Sequence, residues 1–495
     1  MGNIAFLPIG LEVALLVGAI GVLMVAVTMG RSSRDWAVVA GSAIGIGFVV
    51  SVRQWIVVGE SGTQLAFGTK GADGLTVANQ MVAMDKFGAL GGMILMVVVG
   101  LALIGSWQMV KDLGSRGAEF VALILLSAAG MHMMIVSANL IMLFIGLETA
   151  SIALYVIAGF LRNRRGSDES AMKYFLMGSF ASALFIYGVA LVFAATGSTS
   201  LYGSTSIGQF LAGNAMPNPG ILLIGIGLIL VGLAFKMSAA PFHQWAPDVY
   251  QGAGTGAVAF MSTGVKVAAV AAMVRVLYLG FFQFYDDWSM AVALIAALSI
   301  LVGTATAIAQ SDLKRMLAYS GVAHAGFLLI AVLAARVSLD AMWFYLATYA
   351  VSLVGMLTVV TVVAGASAGP VSIESFRGLG KRSPMLAAAI AVFMFSMAGI
   401  PGTSGFVAKL VVFTAADLSG FRWLVVLALV ASVAGLFFYL RIIVVAFFED
   451  SDTEETPLTL TGPRIAIGFA VAVTVGLGLW PTLLLDFARE ALPHL

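Results

Sequence analysis

GLAFKMSAAPFHQWAPDVYQGA, residues 232–253, carries an apolar helical run into Lys236, meets Pro241, and resumes as a polar, aromatic segment. Proline removes a backbone hydrogen bond, and a charge beside the break is costly in lipid. Irregular backbone survives at membrane depth only where protein or a water-filled cavity satisfies the freed groups. The stretch therefore predicts a polar site inside a membrane-spanning bundle. It also sets a question: whether other buried charges lie on one path with Lys236.

Composition supports the membrane reading. Of 495 residues, 61% are hydrophobic and 10% charged, where a soluble domain has about a quarter charged. The apolar runs are about 20 residues long, enough to cross the hydrocarbon as helices, and lack the ten-residue alternation of a transmembrane barrel. The expected class is an all-α polytopic membrane protein. A formal charge of +1 and the absence of a basic block argue against nucleic acid. With no cysteine there is no disulfide, thiolate-held iron–sulfur cluster or covalent c-type haem. His132, His243, His324 and His494 lie far apart, so no cofactor or metal site is expected in this chain. The first apolar run has no basic leader before it and reads as a retained span.

Apolar runs between charged or Gly/Pro-rich breaks give about fourteen spans, near residues 11–29, 36–55, 87–110, 119–136, 139–161, 171–195, 220–240, 254–280, 288–309, 314–335, 339–364, 384–413, 423–448 and 463–487. One alternate set of loops carries twice the Lys and Arg of the other. The rich set includes Arg31, Lys111, Arg116, Arg162, Arg164, Arg165, Lys314 and Lys381; the poor set includes Arg275 and Arg336. Cytoplasmic loops accumulate positive charge, so both termini are expected outside. Spans seven and twelve are both interrupted, by Pro241 and by Pro401-Gly402. Matching interruptions point to inverted repeats with a site at their interface. The chain then divides into residues 1–117, a first five-helix repeat at 118–280 (helices 4–8), a second at 281–448 (helices 9–13), and an acidic loop with a last helix at 449–495. Residues 197–220 read as a polar outer loop, and a short hairpin fits residues 71–79.

Four basic residues remain inside the spans: Lys173, Lys236, Lys266 and Lys409, with Glu148 the only carboxylate placed deep in one. Glu148 and Lys266 each lie ten to twelve residues into a helix, near the bilayer centre at about 1.5 Å per residue. A desolvated lysine can gain and lose a proton at working pH, which arginine cannot. Hydropathy alone puts Lys236 and Lys409 near span ends, but continuation of each helix past its break moves both toward mid-membrane. Lys173, just after Glu169, also fits a snorkelling anchor. His324, ten residues into its span, and His243, just past Pro241, have the donor and acceptor character of proton relays, although an interior histidine more often only satisfies hydrogen bonds. His132 reads as structural.

Segments 143–157 with Glu148, 168–188 with Lys173, 232–253 with Lys236, 260–271 with Lys266, 310–329 with His324 and 399–413 with Lys409 resemble the antiporter-like proton-channel subunits of respiratory complex I, the proton-pumping NADH:quinone oxidoreductase. The pattern is most similar to the subunit N branch, equivalent to mitochondrial chain 2. Lys409 stands where subunit M typically has glutamate, and no length remains after Leu495 for the lateral helix of subunit L. The resemblance implies a fourteen-helix bundle with inverted repeats and broken helices 7 and 12. It implies that Glu148 pairs with Lys236, that Lys266 and His324 continue a polar axis, and that Lys409 lies toward the outer exit. It further implies no redox centre in this chain, with FMN, iron–sulfur clusters and quinone in partner subunits. Partners would be other membrane and peripheral subunits of the complex, including subunit M and small membrane subunits, in a bacterial plasma membrane. WAPDVYQGAGTG, 245–256, lacks the proline the family often has after Gly-Ala. Two other readings stay open: an Mrp-type cation/proton antiporter subunit, and a membrane scaffold whose lysines only pair within the bundle.

Overall fold

In the computed structural model, which describes residues 6–28, 33–70, 77–161, 165–214, 216, 218–365, 369–451, 457 and 461–491, the apolar runs become helices. The first seven are α1 Gly10–Thr28, α2 Ser33–Ser61, α3 Lys86–Gly105, α4 Trp107–Asp112, α5 Gly117–Val136, α6 Leu140–Ala158 and α7 Arg165–Thr196. Next come α8 Ile207–Gly213, α9 Gly220–Met237, α10 Trp245–Gly252, α11 Thr255–Arg275, α12 Tyr285–Ile308, α13 Leu313–Leu333 and α14 Leu339–Ala364. The last six are α15 Leu379–Arg382, α16 Pro384–Ala398, α17 Ser404–Leu418, α18 Arg422–Phe448, α19 Thr461–Leu479 and α20 Thr482–Arg489. Thirteen helical segments among the described residues are long and apolar enough to cross a membrane. The fourteenth crossing is divided between α16 and α17.

Polar residues at the run boundaries fix where helices start. Asp85 accepts from Gly88 N (2.7 Å) to cap α3, Asn139 from Ile141 N (2.9 Å) to cap α6, and Asp312 from Arg315 N (2.7 Å) to cap α13. The centre of the bundle is α11, buried along its whole length, with α13 and α14 packed on it. Helices in lipid gain little from hydrophobicity and pack through small residues and hydrogen bonds. Where α5 crosses α6, a side chain on Gly130 would stand 2.5 Å from Ala150 N, so only glycine allows that approach.

Both interrupted spans are divided as the prolines indicate. After α9, Ser238 adopts a left-handed conformation (φ 61°), and the freed Ala240 N donates to Ser299 Oγ on α12 at 2.8 Å. After α16, Gly399 is left-handed (φ 90°), and Gly405 N donates to Ser396 Oγ at 3.1 Å.

Several expectations are corrected. Span fourteen ends at Leu479, because Trp480-Pro481 stops it. The separate α20 then lies along the surface, with Lys86 paired to Glu490 (2.7 Å), Arg489 to Asp340 (3.1 Å), and Phe487 stacked on Trp55. Arg275, counted as a loop cation, is buried; it holds Asp85 through two bonds of 2.7 and 3.0 Å, donates to Ile135 O (2.9 Å), and bonds the Tyr202 hydroxyl. Lys314, also counted in a loop, is buried and donates to Ala253 O at 2.9 Å, capping the end of α10. Glu148 is not the only interior carboxylate: buried Glu12 on α1 meets His132 Nδ1 on α5 at 2.7 Å, which gives His132 its structural partner. The polar segment 197–220 contains α8, capped by Ser206.

The hairpin read at 71–79 has paired strands β2 Thr69–Lys70 and β3 Val77–Ala78, beside the pair β1 Gln64–Ala66 and β4 Val82–Met84; its tip, 71–76, lies outside the described residues. Arg31, Arg162, Arg164, His494 and residues 452–455 of the acidic loop lie outside them too. At the loop's described start, Glu449 pairs with Arg377 (2.7 Å) and Asp450 with Lys381 (2.5 Å). The hydrogen bond from Lys381 holds the Asp450 carboxyl below its ordinary value.

Candidate functional site

Lys236 is the last charged residue of α9 before the break, and its side chain is turned inward, 4% exposed. Its amine donates to Ser151 Oγ at 2.6 Å and reaches the Tyr155 hydroxyl at 3.4 Å. It also stands 5.3 and 5.8 Å from the ring centres of Tyr155 and Tyr174, a cation–π setting. Tyr174 is held in place by stacking on Trp245 of α10 (4.4 Å), so the segment after the break builds one wall of the lysine's surroundings.

Glu148 is half-buried on α6 and accepts a hydrogen bond from Ser182 of α7. The direct Glu148–Lys236 pair implied by the family resemblance is not formed. Ser151 lies three residues after Glu148, on the same face of α6. It takes the lysine one turn short of the carboxylate.

Lys266, 2% exposed at the middle of α11, makes no ion pair among the described residues and lies 5.8 Å from the Tyr349 ring centre. Gly321 on α13 provides its space: a Cβ there would stand 3.3 Å from Lys266 Nζ and 3.2 Å from the Tyr349 hydroxyl. His324, one turn further along α13, is hydrogen-bonded at both ring nitrogens, Nδ1 to Tyr345 (2.7 Å) and Nε2 to Tyr439 (3.1 Å). Its ring lies 4.6 Å from that of Tyr349, so this tyrosine is interposed between Lys266 and the histidine. The buried Tyr349 hydroxyl has no hydrogen-bond partner among the described residues.

From His324 a cavity of about 10 Å³, lined by Tyr345, Ser352, Ser396 and Gly405, leads to the break in span twelve. It has room for about one water molecule. Beyond it Lys409 of α17, 7% exposed, donates to Ala398 O at 2.9 Å. The lysine thus sits on the C-terminal carbonyl end of α16, where the helix dipole favours a cation. Phe327 covers it from the other side (5.1 Å).

The structure therefore gathers Lys266, His324 and Lys409 into one polar line, and places Glu148 with Lys236 in a second cluster bordering it. No hydrogen bond joins the two among the described residues. Lys173 stands apart: 40% exposed, it is paired with Glu169 (2.6 Å) and Asp248 (2.7 Å), and Asp248 also holds Arg315 (2.7 Å). That network ties α10 to α7 and α13. His243 lies half-buried in the break, 6.2 Å from the Tyr319 ring, and its Nδ1 has no hydrogen-bond partner among the described residues. No group of three His, Asp or Glu side chains is arranged to hold a metal ion among the described residues.

Ser151, Tyr155, Ser182, Tyr345, Tyr349 and Tyr439 were not picked out from sequence. Ser151 and Tyr155 follow Glu148 by three and seven residues, and that helical spacing was a signal for them. Tyr345 and Tyr349, one turn apart in an apolar span, carried the same signal more weakly.

Residues 137–435 match the transmembrane family described as NADH:quinone oxidoreductase/Mrp antiporter. NADH-quinone oxidoreductase subunit N 1 of Herpetosiphon aurantiacus is 39% identical over 419 residues, covering 83% of this chain and 84% of the relative. The fold superposes on a chain of respiratory complex I from Thermus thermophilus with bound Aureothin: TM-score 0.77, 30% identity, 96% and 98% of the two chains covered. It also superposes on a chain of the Mrp complex from Dietzia sp. DQ12-45-1b: TM-score 0.83, 20% identity, 99% and 97% covered. At that identity the likeness speaks for the fold alone.

Proposed function

The chain belongs to the NADH-quinone oxidoreductase subunit N family, multi-pass membrane subunits of antiporter-like fold, and on that premise we propose that it translocates protons within respiratory complex I through Glu148, Lys236, Lys266, His324 and Lys409. One observation carries the reading. The three interior lysines are bonded to a hydroxyl, a carbonyl or an aromatic face, and none is held in an ion pair with a carboxylate among the described residues. A cation locked to a buried carboxylate is a structural element that is expensive to disturb. A lysine with neutral partners can change its charge without abandoning a counterion.

The arrangement suggests how a step proceeds. Lys236 rests on Ser151, and Glu148 is one turn away, about 4.5 Å along the helix. Exchange of Ser151 for Glu148 forms the ion pair, and the reverse releases it. Release favours passage of the proton toward Lys266, then by way of His324 to Lys409 and the outer side. Each transfer changes the field felt by the next site in a low-dielectric interior.

Energy in this reading comes from quinone reduction elsewhere in the complex, with FMN, iron–sulfur clusters and quinone held by partner subunits. The neighbouring subunit M and small membrane subunits are the proposed contacts, in a bacterial plasma membrane with both termini outside. The two divided spans, α9–α10 and α16–α17, lie five spans apart, which suits inverted repeats over helices 4–8 and 9–13. Lys173 and His243 are assigned to the margin of the path, where Lys173 fixes α10 through Asp248.

The test is proton pumping by the reconstituted complex. Lys236→Ala should abolish pumping while the complex still assembles; undiminished pumping removes the lysine from the mechanism. The Mrp-type reading makes a different forecast: sodium–proton exchange by proteoliposomes without NADH, and purification free of redox centres.

A further inference from the structure

Lys314, the second residue of α13, shares with Lys236, Lys266 and Lys409 the features that suit them to carry protons. It is fully buried, its amine donates to Ala253 O at 2.9 Å, and it makes no ion pair among the described residues. The nearby carboxylate of Asp312 is committed to the backbone, accepting from Arg315 N (2.7 Å) and from Val371 N. Burying a cation without a counterion is costly. A carbonyl at a helix end is met equally well by arginine or a side-chain amide, so capping α10 does not by itself call for lysine.

A polar line leads from this lysine to Lys266. Thr255, two residues after the Ala253 carbonyl, is fully buried, and its Oγ1 has no hydrogen-bond partner among the described residues. Thr255, Ser262 and Lys266 are spaced by seven and four residues, which places all three on one face of α11, and all three are buried. Buried Tyr250 of α10 lies beside Ser262. The facing wall is α13, where Lys314 and Gly321 share one side, about 10.5 Å apart along the axis. A Cβ on Gly321 would stand 3.3 Å from Lys266 Nζ and 3.8 Å from the Tyr250 hydroxyl, so the amine and the hydroxyl border the same space. We infer that Lys314 loads Lys266 with protons from the inner side of the membrane, by way of Thr255, Tyr250 and Ser262. The inference rests on the transport role and the orientation proposed above. The Lys314 ammonium gives one proton to the Thr255 hydroxyl; each hydroxyl accepts a proton and passes on its own, with water bridging the steps of one to two turns, and the Lys266 amine takes the last. Lys314, left as a neutral amine, still donates to Ala253 O and takes its next proton from inner-side water. Lys266 is thereby refilled after it has passed a proton to His324, without waiting for Lys236.

The test uses the intact complex carrying this chain, reconstituted in proteoliposomes, with proton uptake measured against NADH oxidation. Lys314→Gln and Lys314→Arg both keep an N–H donor for Ala253 O, but glutamine has no proton to give and arginine does not release its own. Both should assemble to the wild-type level and lose pumping by about 100-fold, the lower end of what a positioned proton donor contributes. A lysine that only caps α10 gives the opposite result, pumping within twofold of wild type in at least one of the two, and that result overturns the inference. Tyr250→Phe removes one oxygen and keeps the ring, so it decides the matter if neither Lys314 variant assembles: pumping should fall at least about tenfold, and a wild-type rate overturns the route. Lys236→Ala is measured beside them. If it fails to pump while the Lys314 variants pump, the loading role alone is lost; if it pumps as wild type does, the transport reading fails and this inference with it.

Discussion

Removing the Ser151 hydroxyl tests the link between Lys236 and the carboxylate one turn away. In Ser151→Ala the amine loses its 2.6 Å acceptor and keeps only Tyr155, at 3.4 Å the limit of a hydrogen bond. A hydrogen bond from a charged donor is worth about 1.5–3 kcal/mol, and one from a neutral amine about 1 kcal/mol. The preference of Lys236 for this position should therefore fall roughly 10- to 100-fold if the amine is charged there and about fivefold if it is neutral. Lys236 then rests on Glu148, and turnover that requires its release slows by that factor. The assay is proton uptake by proteoliposomes alongside NADH oxidation. Ser182→Ala, which frees Glu148 from its own donor, should act in the same direction, and the two changes should be non-additive. A Ser151→Ala complex that pumps within twofold of wild type would refute the exchange of partners, and with it the use of Ser151 as the resting position.

Gly321→Ala should slow transport without harming assembly, because its methyl would stand 3.3 Å from Lys266 Nζ and 3.2 Å from the Tyr349 hydroxyl; native gels and pumping rates on the same preparation check it. Lys409→Arg keeps a cation on Ala398 O but holds its proton permanently, so pumping should stop while the thermal midpoint stays close to wild type. Arg275→Met leaves Asp85 buried and unpaired, which costs about 3–5 kcal/mol, and should show as loss of assembled complex. Pairing it with Asp85→Asn should recover part of that loss, since no lone buried charge then remains.

What could be read from the sequence follows from what lipid penalises. A backbone break or a charge at membrane depth is conspicuous against an apolar run, and so the divided spans and Lys236, Lys266 and Lys409 could be found without coordinates. Trp480-Pro481 also marked a helix end, but the apolar residues after it concealed that α20 turns along the surface. Charges near a span boundary are ambiguous because hydropathy does not register which way a side chain points. Arg275 and Lys314 were therefore counted as loop residues although both are buried, and Lys173 as interior although it is 40% exposed. Partners are harder still. Serine and tyrosine hydroxyls on an apolar helix are common, and only the packing of α6, α9, α13, α14 and α18 shows that Ser151 serves Lys236 and that Tyr345 and Tyr439 hold His324.

On the proposed mechanism, the contrast between Arg275 and the three lysines separates architecture from transport within one interior. Arg275 uses its guanidinium fork on a carboxylate, a carbonyl and a hydroxyl at once, and that carboxylate also caps α3. Such a cation cannot leave or lose its charge without stranding Asp85, so it fastens α3, α5 and α11 together. Lys236, Lys266 and Lys409 have no such anchor. Among the described residues the single candidate counterion, Glu148, stands at one end of the series and is engaged by Ser182. On the proposed mechanism a charge added at Lys236 therefore has two ways to lower its energy: pairing with Glu148, or passing its proton toward Lys266. Whatever draws Glu148 away selects the second. On the proposed mechanism, the device that couples this chain to the rest of the complex must act on α6 or α7, the two helices that set the position of that carboxylate.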